Sequence, residues 1–302
     1  MTFEGELYTS LPERVVYATD FSEPAEWALP RVFELAEACG AVVETVHVIP
    51  SSTNRSVQSS EDVEWLRAGR ARRRMERTRM AYMYDMALRH HAPISHQVLM
   101  ADDPVEGMQR YLRDGPPSVL VIGRRGETND PERGLGRVAR ALLQDATIPT
   151  MAVPSVQRGP IRHLTSVIPS EPRPLSLREA PMNLAAALGA KLCILSLREA
   201  GADEQRMEQD QGRRADLQQI TSAVEDDSEG GDGDEKSVLV PVSLGTNTPG
   251  SAAWVETVLR EASRVRSDLL IVPRKLKLRY GESDPQFGLR IAAASPLCTL
   301  VV

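Results

Sequence analysis

Short apolar runs alternate along this chain with longer stretches in which apolar residues recur at helical spacing, and the alternation predicts strands and helices in turn. The series opens with the apolar run Arg14–Thr19, which ends at Asp20. Ser22 is placed to cap a following helix, with Glu23 and Pro24 suited to its first turn. That helix should run to Cys39 with a kink at Pro30 and a stop at Gly40. Val42–Val48 reads as the second strand, Ser51–Ser60 as a polar loop, and residues 61 to about 89 as one long arginine-rich helix. Ile94–Met100 is a third strand and Asp103–Arg113 a short helix opened by Asp102, Asp103 and Pro104. Ser118–Ile122 is a fourth, wholly apolar strand, Gly123–Gly136 a loop, Leu135–Ala146 a helix and Thr150–Val153 a fifth strand. Strands alternating with helices imply a parallel sheet covered on both faces, an α/β fold.

The pattern then restarts. His163–Ile168 leads to Ser170-Glu171-Pro172, echoing Ser22-Glu23-Pro24, and Leu177–Leu188 closes at Gly189-Ala190 as the earlier helix closes at Gly40-Ala41. Lys191–Leu197 matches the second strand, a helix is expected over roughly 204–223, and Ser237–Val242 and Ala252–Arg264 follow as strand and helix. Asp268–Val272 matches the fourth strand and Thr299–Val302 the fifth. Two units of about 150 residues are the usual size of a domain, so we read a duplication, 1–154 and 161–302, joined through Pro154–Ile161. The stretch Glu225–Glu235 is acidic, glycine-rich and without apolar residues, and is expected to be a disordered loop.

Composition narrows the function. With 41% hydrophobic and 26% charged residues the chain is ordinary for a globular protein, and with 4% aromatics its cores must rest on aliphatic side chains. The net charge of −6 gives no global attraction to nucleic acid or an anionic membrane. No apolar run is long enough to span a bilayer, and Met1–Glu6 carries acids without a signal-like core, so the cytoplasm is the expected compartment. Cys39, Cys193 and Cys298 lie far apart in apolar segments and read as buried thiols. His90, His91 and His96 could hold a metal, but without a second ligand cluster they read as a solvated helix end. Arg67, Arg70, Arg72, Arg73, Arg74, Arg77 and Arg79 crowd one helix; with no aromatic platform beside them they read as an exposed face rather than a nucleic-acid surface, with Met75, Met80, Met83 and Tyr82 turned inward.

Candidate chemistry gathers in the first unit. In an open parallel sheet, ligands collect beyond the C-terminal strand ends, where the strand order reverses. Asp20 ends the first strand there, Gly123-Arg124-Arg125-Gly126 follows the fourth, and Gly136-Arg137-Val138 opens a helix. Glycines let a backbone approach phosphate closely, and a helix start offers unpaired N–H groups. Either the set holds a nucleotide, with Asp20 toward ribose or base, or the glycines merely turn the chain and Asp20 merely leads into a cap. No nucleophile–histidine–acid set and no phosphate-loop lysine motif accompanies it.

The combination of Ala18-Thr19-Asp20-Phe21-Ser22-Glu23-Pro24, His47-Val48-Ile49-Pro50 and Gly123-x2-Gly126-x9-Gly136 resembles the universal stress protein family in its tandem form, well over residues 13–154 and in layout only over 161–302. The resemblance implies two five-stranded parallel sheets of order 3-2-1-4-5 flanked by helices. It implies ATP or AMP held by Ala18, Thr19, Asp20, Val48, Gly123, Arg125, Gly126, Gly136, Arg137 and Val138, and leaves magnesium open. It also implies that Thr150–Val153 and Thr299–Val302 pair as an internal pseudo-dimer, with a further homodimer open. Arg137 departs from the family, which has a small hydroxyl residue there, and could either grip phosphate or plug the site. Glu127, Asp130 and Glu132 would repel phosphate beside Arg124, Arg125 and Arg133. In the second unit Ile168 is read at the position of Asp20, and Pro273-Arg274-Lys275-Leu276 replaces the first two glycines, so the site is expected to be lost. Arg274, Lys275, Lys277 and Arg279 form a basic patch that reads as a solvated loop or an anion attractor. The expectation is a non-catalytic stress-response or regulatory protein that binds nucleotide once, with a protein partner still to be identified. The alternatives are a scaffold that has lost nucleotide and, more distantly, a weak ATPase.

Overall fold

The computed structural model describes residues 11–50, 76–113, 116, 118–126, 134–145, 147–154, 159–169, 176–199, 238–244, 251–277 and 283–302. The acidic stretch 225–235, the loop 51–60, the helix expected over 204–223, Ser170-Glu171-Pro172, Arg67 to Arg74, Met75, the loop residues Glu127, Asp130, Glu132 and Arg133, and Arg279 lie outside the described residues.

The strands are β1 Arg14–Ala18, β2 Val42–Pro50, β3 Ile94–Ala101, β4 Ser118–Gly123, β5 Thr150–Val153, β6 His163–Pro169, β7 Lys191–Glu199, β8 Val238–Leu244, β9 Leu269–Val272, β10 Leu276–Lys277, β11 Ser283–Asp284 and β12 Cys298–Val301. All except the small hairpin β10–β11 join in one ten-stranded sheet of order β3-β2-β1-β4-β5-β12-β9-β6-β7-β8. Read inward from either end, each half has the order 3-2-1-4-5 that the resemblance implies. Pairing is parallel within each half and antiparallel only at the seam, where Thr150, Met151 and Ala152 face Val301, Leu300 and Thr299. The edge that each fifth strand would otherwise expose is thereby covered.

The apolar strands are buried on both faces, as parallel strands must be. Val15 and Tyr17 of β1 point into one core with Val32, Phe33 and Met83, and Val16 points into the other with Leu120, Ile122 and Leu142. Both cores run across the seam: Met151 and Leu300 share the first, Ala152 and Val301 the second. Fully burying an aliphatic side chain of this size stabilises by about 1.5–3 kcal/mol.

Local chemistry sets the ends of the elements. Ser22 caps the Glu23–Glu26 turn by accepting the Ala25 N–H at 3.3 Å. Pro30 begins a second helix, Leu29–Cys39, where a kink in one long helix was expected. A proline needs no N–H partner in a first turn, so breaking and restarting there costs less than bending. Gly40 closes that helix in the left-handed region at φ +64°. Within it the buried Arg31 pairs with Glu34 and donates to Gly159 O at 2.6 Å, while Glu34 Oε1 accepts the Ile161 N–H at 2.6 Å, so the connection between halves is clipped to the first half.

Three further expectations change. Tyr82 is 48% exposed, whereas Met83 is fully buried and Met80 packs on the core; of the helix expected from 61, residues 76–89 are described. His90 binds Glu37 at 2.8 Å and stacks on Phe33, but His96 lies on β3 and not at the helix end. The helix Phe287–Ala294 and the hairpin before it had no counterpart in the pattern reading.

Met151→Ala should test the seam. The side chain is fully buried in the core that both halves share, so truncation should cost about 2–5 kcal/mol and lower the urea midpoint in a single transition. Unchanged stability would show that the seam is not a joint core.

Candidate functional site

The turn after β1 is fixed by its own side chains. Thr19 Oγ1 accepts the Phe21 N–H and Asp20 Oδ1 accepts the Ser22 N–H, each at 2.9 Å. Phe21 sits in the left-handed region at φ 58°, which is uncommon for a non-glycine residue. Its buried ring lies 4.9 Å from that of His47. His47 Nδ1 is 2.7 Å from the Thr19 carbonyl; since a carbonyl can only accept, that nitrogen carries the proton and donates. The net result is an exposed Asp20 on a rigid backbone beyond the sheet.

The glycine loop meets Asp20 here. A Cβ at Gly126 would fall 2.7 Å from Asp20 Oδ2, and one at Gly136 would lie 3.6 Å from Arg125 Cα and 3.7 Å from Gly126 N. Gly136 N–H donates to Arg124 O at 2.9 Å, and the helix Arg137–Asp145 begins immediately after, presenting its N-terminus beside Gly126. Gly123 differs: its Cβ would meet Ala25 Cα and Pro24 O at 3.1 Å, so that glycine lets the Glu23–Glu26 turn pack on the strand end. Ala18, Val48 and Val138 all pack against the same core face, below the loop.

Of the residues singled out from sequence, the structure brings Ala18, Asp20, Val48, Gly126, Gly136 and Val138 together at one strand-end face, with half-buried Arg125 on the loop between the glycines. Thr19 and Gly123 are also here but serve the turn and the packing. Arg137 neither plugs the site nor points into it: its Nη1 donates to Asp103 Oδ2 at 3.0 Å with the side chain 71% exposed. That hydrogen bond, with those from Val105 and Glu106 N–H, holds the Asp103 carboxyl below its ordinary pKa.

Sequence reading placed Arg124 in the loop but not the partners of its side chain. Its Nε donates to Gly134 O at 3.1 Å, and its other two nitrogens donate to the Ser295 and Ala293 carbonyls in the second half. Nothing local marks this, because its partners lie 169 and 171 residues away. A cavity of about 30 Å³, room for about one water, lies beside it among Pro24, Trp27, Arg125, Val153 and Pro154.

The strand registers locate the equivalent positions in the second half. Val15 pairs with Val43 and Val119, and Leu164 with Leu192 and Leu269, so Val15 corresponds to Leu164. Counting onward, Asp20 corresponds to Pro169, and Ile168 corresponds to Thr19, one residue earlier than the sequence reading placed it. Gly123 becomes Pro273 and Gly126 becomes Leu276, which is fully buried. The third glycine survives: Gly288 N–H donates to Arg274 O as Gly136 N–H donates to Arg124 O. It is kept for packing, since a Cβ there would lie 2.7 Å from Val301 Cγ1 and 2.9 Å from Pro273 O. The side chain of Asp284 is buried before this helix, where Oδ1 accepts the Gln286 N–H at 3.0 Å and Oδ2 lies 3.8 Å from Arg290. Here the chain supplies its own carboxylate at the helix start. The basic patch is also divided, because Arg274 donates to Ile148 O at 3.3 Å while Lys275 is exposed.

Among the described residues no cluster of three metal-ligating side chains occurs, and no helix is long and apolar enough to cross a membrane. No curated protein matches the chain. Among solved structures it is similar to a universal stress protein from Archaeoglobus fulgidus, at 13% identity over 96% of this chain and 97% of that one, with a TM-score of 0.64. A protein of unknown function from Pseudomonas aeruginosa is similar at 11% identity over 96% of this chain and 92% of its own, with a TM-score of 0.58. A universal stress protein solved in complex with cAMP aligns with 49% of this chain and 100% of its own, at 19% identity and a TM-score of 0.35. The first two likenesses span both halves and show the fold. The model of the Universal stress protein family matches residues 12–154, and those residues form a domain of that family.

Proposed function

We propose that residues 12–154 bind one adenine nucleotide, ATP or AMP, and that the chain acts as a non-catalytic stress-response or regulatory protein through that binding. The observation that carries the reading is the meeting of Asp20 with two side-chain-free backbone positions, Gly126 and Gly136, at the start of a helix. Phosphate would lie on the loop and the Arg137–Asp145 N-terminus, where N–H groups and the helix dipole favour an anion. Ribose and base would lie toward Asp20 and the apolar floor of Ala18, Val48 and Val138. The second half would bind none, because Pro273 and Leu276 stand where the first half has Gly123 and Gly126, and the buried carboxylate of Asp284 precedes its helix. We read the two halves as the internal counterpart of a subunit pair.

Isothermal titration of ATP and AMP into the intact chain tests this, with one site per chain expected. Gly126→Val should abolish binding with little change in melting temperature, because its branches meet Asp20 and fill the phosphate approach. Gly123→Ala should instead destabilise the fold by about 1–3 kcal/mol, since its neighbours are backbone atoms that cannot turn aside. Binding that survives Gly126→Val, or two sites per chain, would place the site elsewhere. No binding by the unaltered chain would favour the scaffold reading.

Arg137 is held outward by Asp103 and would have to leave that carboxylate to reach a bound phosphate. Asp103→Asn keeps an acceptor for the Val105 and Glu106 N–H groups but removes the charge, so ATP affinity should rise about three-fold and become more sensitive to salt. Arg137→Ser should lower affinity by a similar factor. Affinity that rises with Arg137→Ser would show that the arginine obstructs the site.

A further inference from the structure

Arg124 joins both ends of the glycine loop to the second half. Its carbonyl accepts the Gly136 N–H at 2.9 Å, and its Nε donates to Gly134 O at 3.1 Å. The rest of the guanidinium crosses the seam to the Ser295 and Ala293 carbonyls. Those carbonyls close the helix Phe287–Ala294, where the dipole is negative and a cation is favoured. Gly134 approaches the same place: it has φ +65°, and a Cβ on it would lie 3.0 Å from Ala293 O. Burial, and then the neighbouring Arg125, disfavour charge on Arg124, so these three carbonyls compensate a guanidinium partly withdrawn from water. The planar fork reaches all three acceptors at once, which a lysine cannot do.

The second half contains its own comparison. Arg274 occupies the equivalent place: its N–H donates to Val302 O as Arg124 N–H donates to Val153 O, and its guanidinium crosses the seam in the opposite direction to Ile148 O. It stands between Pro273 and Leu276, where the first half has its glycine loop.

We propose that Arg124 is a positioning residue for the nucleotide site, and that by tying Gly134 and Gly136 to the end of helix Phe287–Ala294 it makes phosphate binding in the first half depend on the second half. This rests on the reading of residues 12–154 as a nucleotide site. Linkage then requires the converse, that bound nucleotide stabilises the contact between the halves.

The experiment uses the full-length chain with ATP as the probe. Arg124→Ala should weaken ATP binding about ten-fold or more, Arg124→Lys by less, and Arg274→Ala by less than about two-fold although it lowers the melting temperature comparably. Equal loss of affinity in Arg124→Ala and Arg274→Ala, or unchanged affinity in Arg124→Ala, would overturn the proposal. Hydrogen exchange supplies a readout that general destabilisation does not give. ATP should slow exchange at the Ser295 and Leu297 amides of the unaltered chain, across the seam from the ligand, and this slowing should vanish in Arg124→Ala. Protection confined to the first half would overturn the coupling. Without nucleotide, Arg124→Ala should speed exchange at the Gly136 amide more than Arg274→Ala does, and equal rates would also overturn the proposal. That arm needs no ligand, so it separates failure of the latch from failure of the nucleotide reading.

Discussion

The antiparallel seam between β5 and β12 is the constraint on which the rest of the molecule depends. A five-stranded parallel sheet ends in an open edge, and a short apolar edge strand is a template for unwanted pairing. Here each half closes the other's edge, with Met151 opposite Leu300 and Ala152 opposite Thr299. One sheet results, and both of its faces carry cores that cross the boundary. Parallel strands need burial on both faces, so the seam extends the region in which that condition is met.

The seam also shapes the strand-end face. Arg124 and Arg274 each lie just beyond a fourth strand, and each reaches carbonyls that belong to the other half. Their backbones do the same work, donating to Val153 at the end of β5 and to Val302 just beyond β12, and accepting from the glycine at the start of the next helix. One of these arginines stands inside a glycine loop and the other between Pro273 and Leu276. The framework is therefore held in common, and the halves differ in what stands on it. On the first side small residues leave backbone exposed beside Asp20; on the second, a buried leucine stands at the position of Gly126 and a buried aspartate precedes the helix.

This division explains why one glycine of the loop persists in the second half. Gly136 has room for a Cβ, so packing does not require a glycine there, whereas Gly288 has none because Val301 and the Pro273 carbonyl press on it. The same residue type at equivalent positions is required by packing in one half and not in the other. Gly123 belongs with Gly288, being held by packing against the Glu23–Glu26 turn.

The sequence by itself determined the α/β alternation, the caps at Ser22 and Gly40, and the loss of Gly123 and Gly126 equivalents in the second half. These follow from local patterns: an unbroken apolar run such as Ser118–Ile122 can be satisfied only inside a sheet, and a left-handed helix end selects glycine. Only the tertiary structure decided which residues meet. Register placed Pro169, not Ile168, opposite Asp20's position, because one residue along a strand cannot be resolved without its partners. The helix Phe287–Ala294 escaped the pattern reading because Arg290 is its one polar residue, and a single polar position marks no helical period. Arg137 went to Asp103, and Arg124 to Ala293 and Ser295, through contacts with residues far away in sequence. An arginine takes whichever acceptors folding brings within reach, whether it is exposed like Arg137 or half-buried like Arg124, and no local pattern records where those will be.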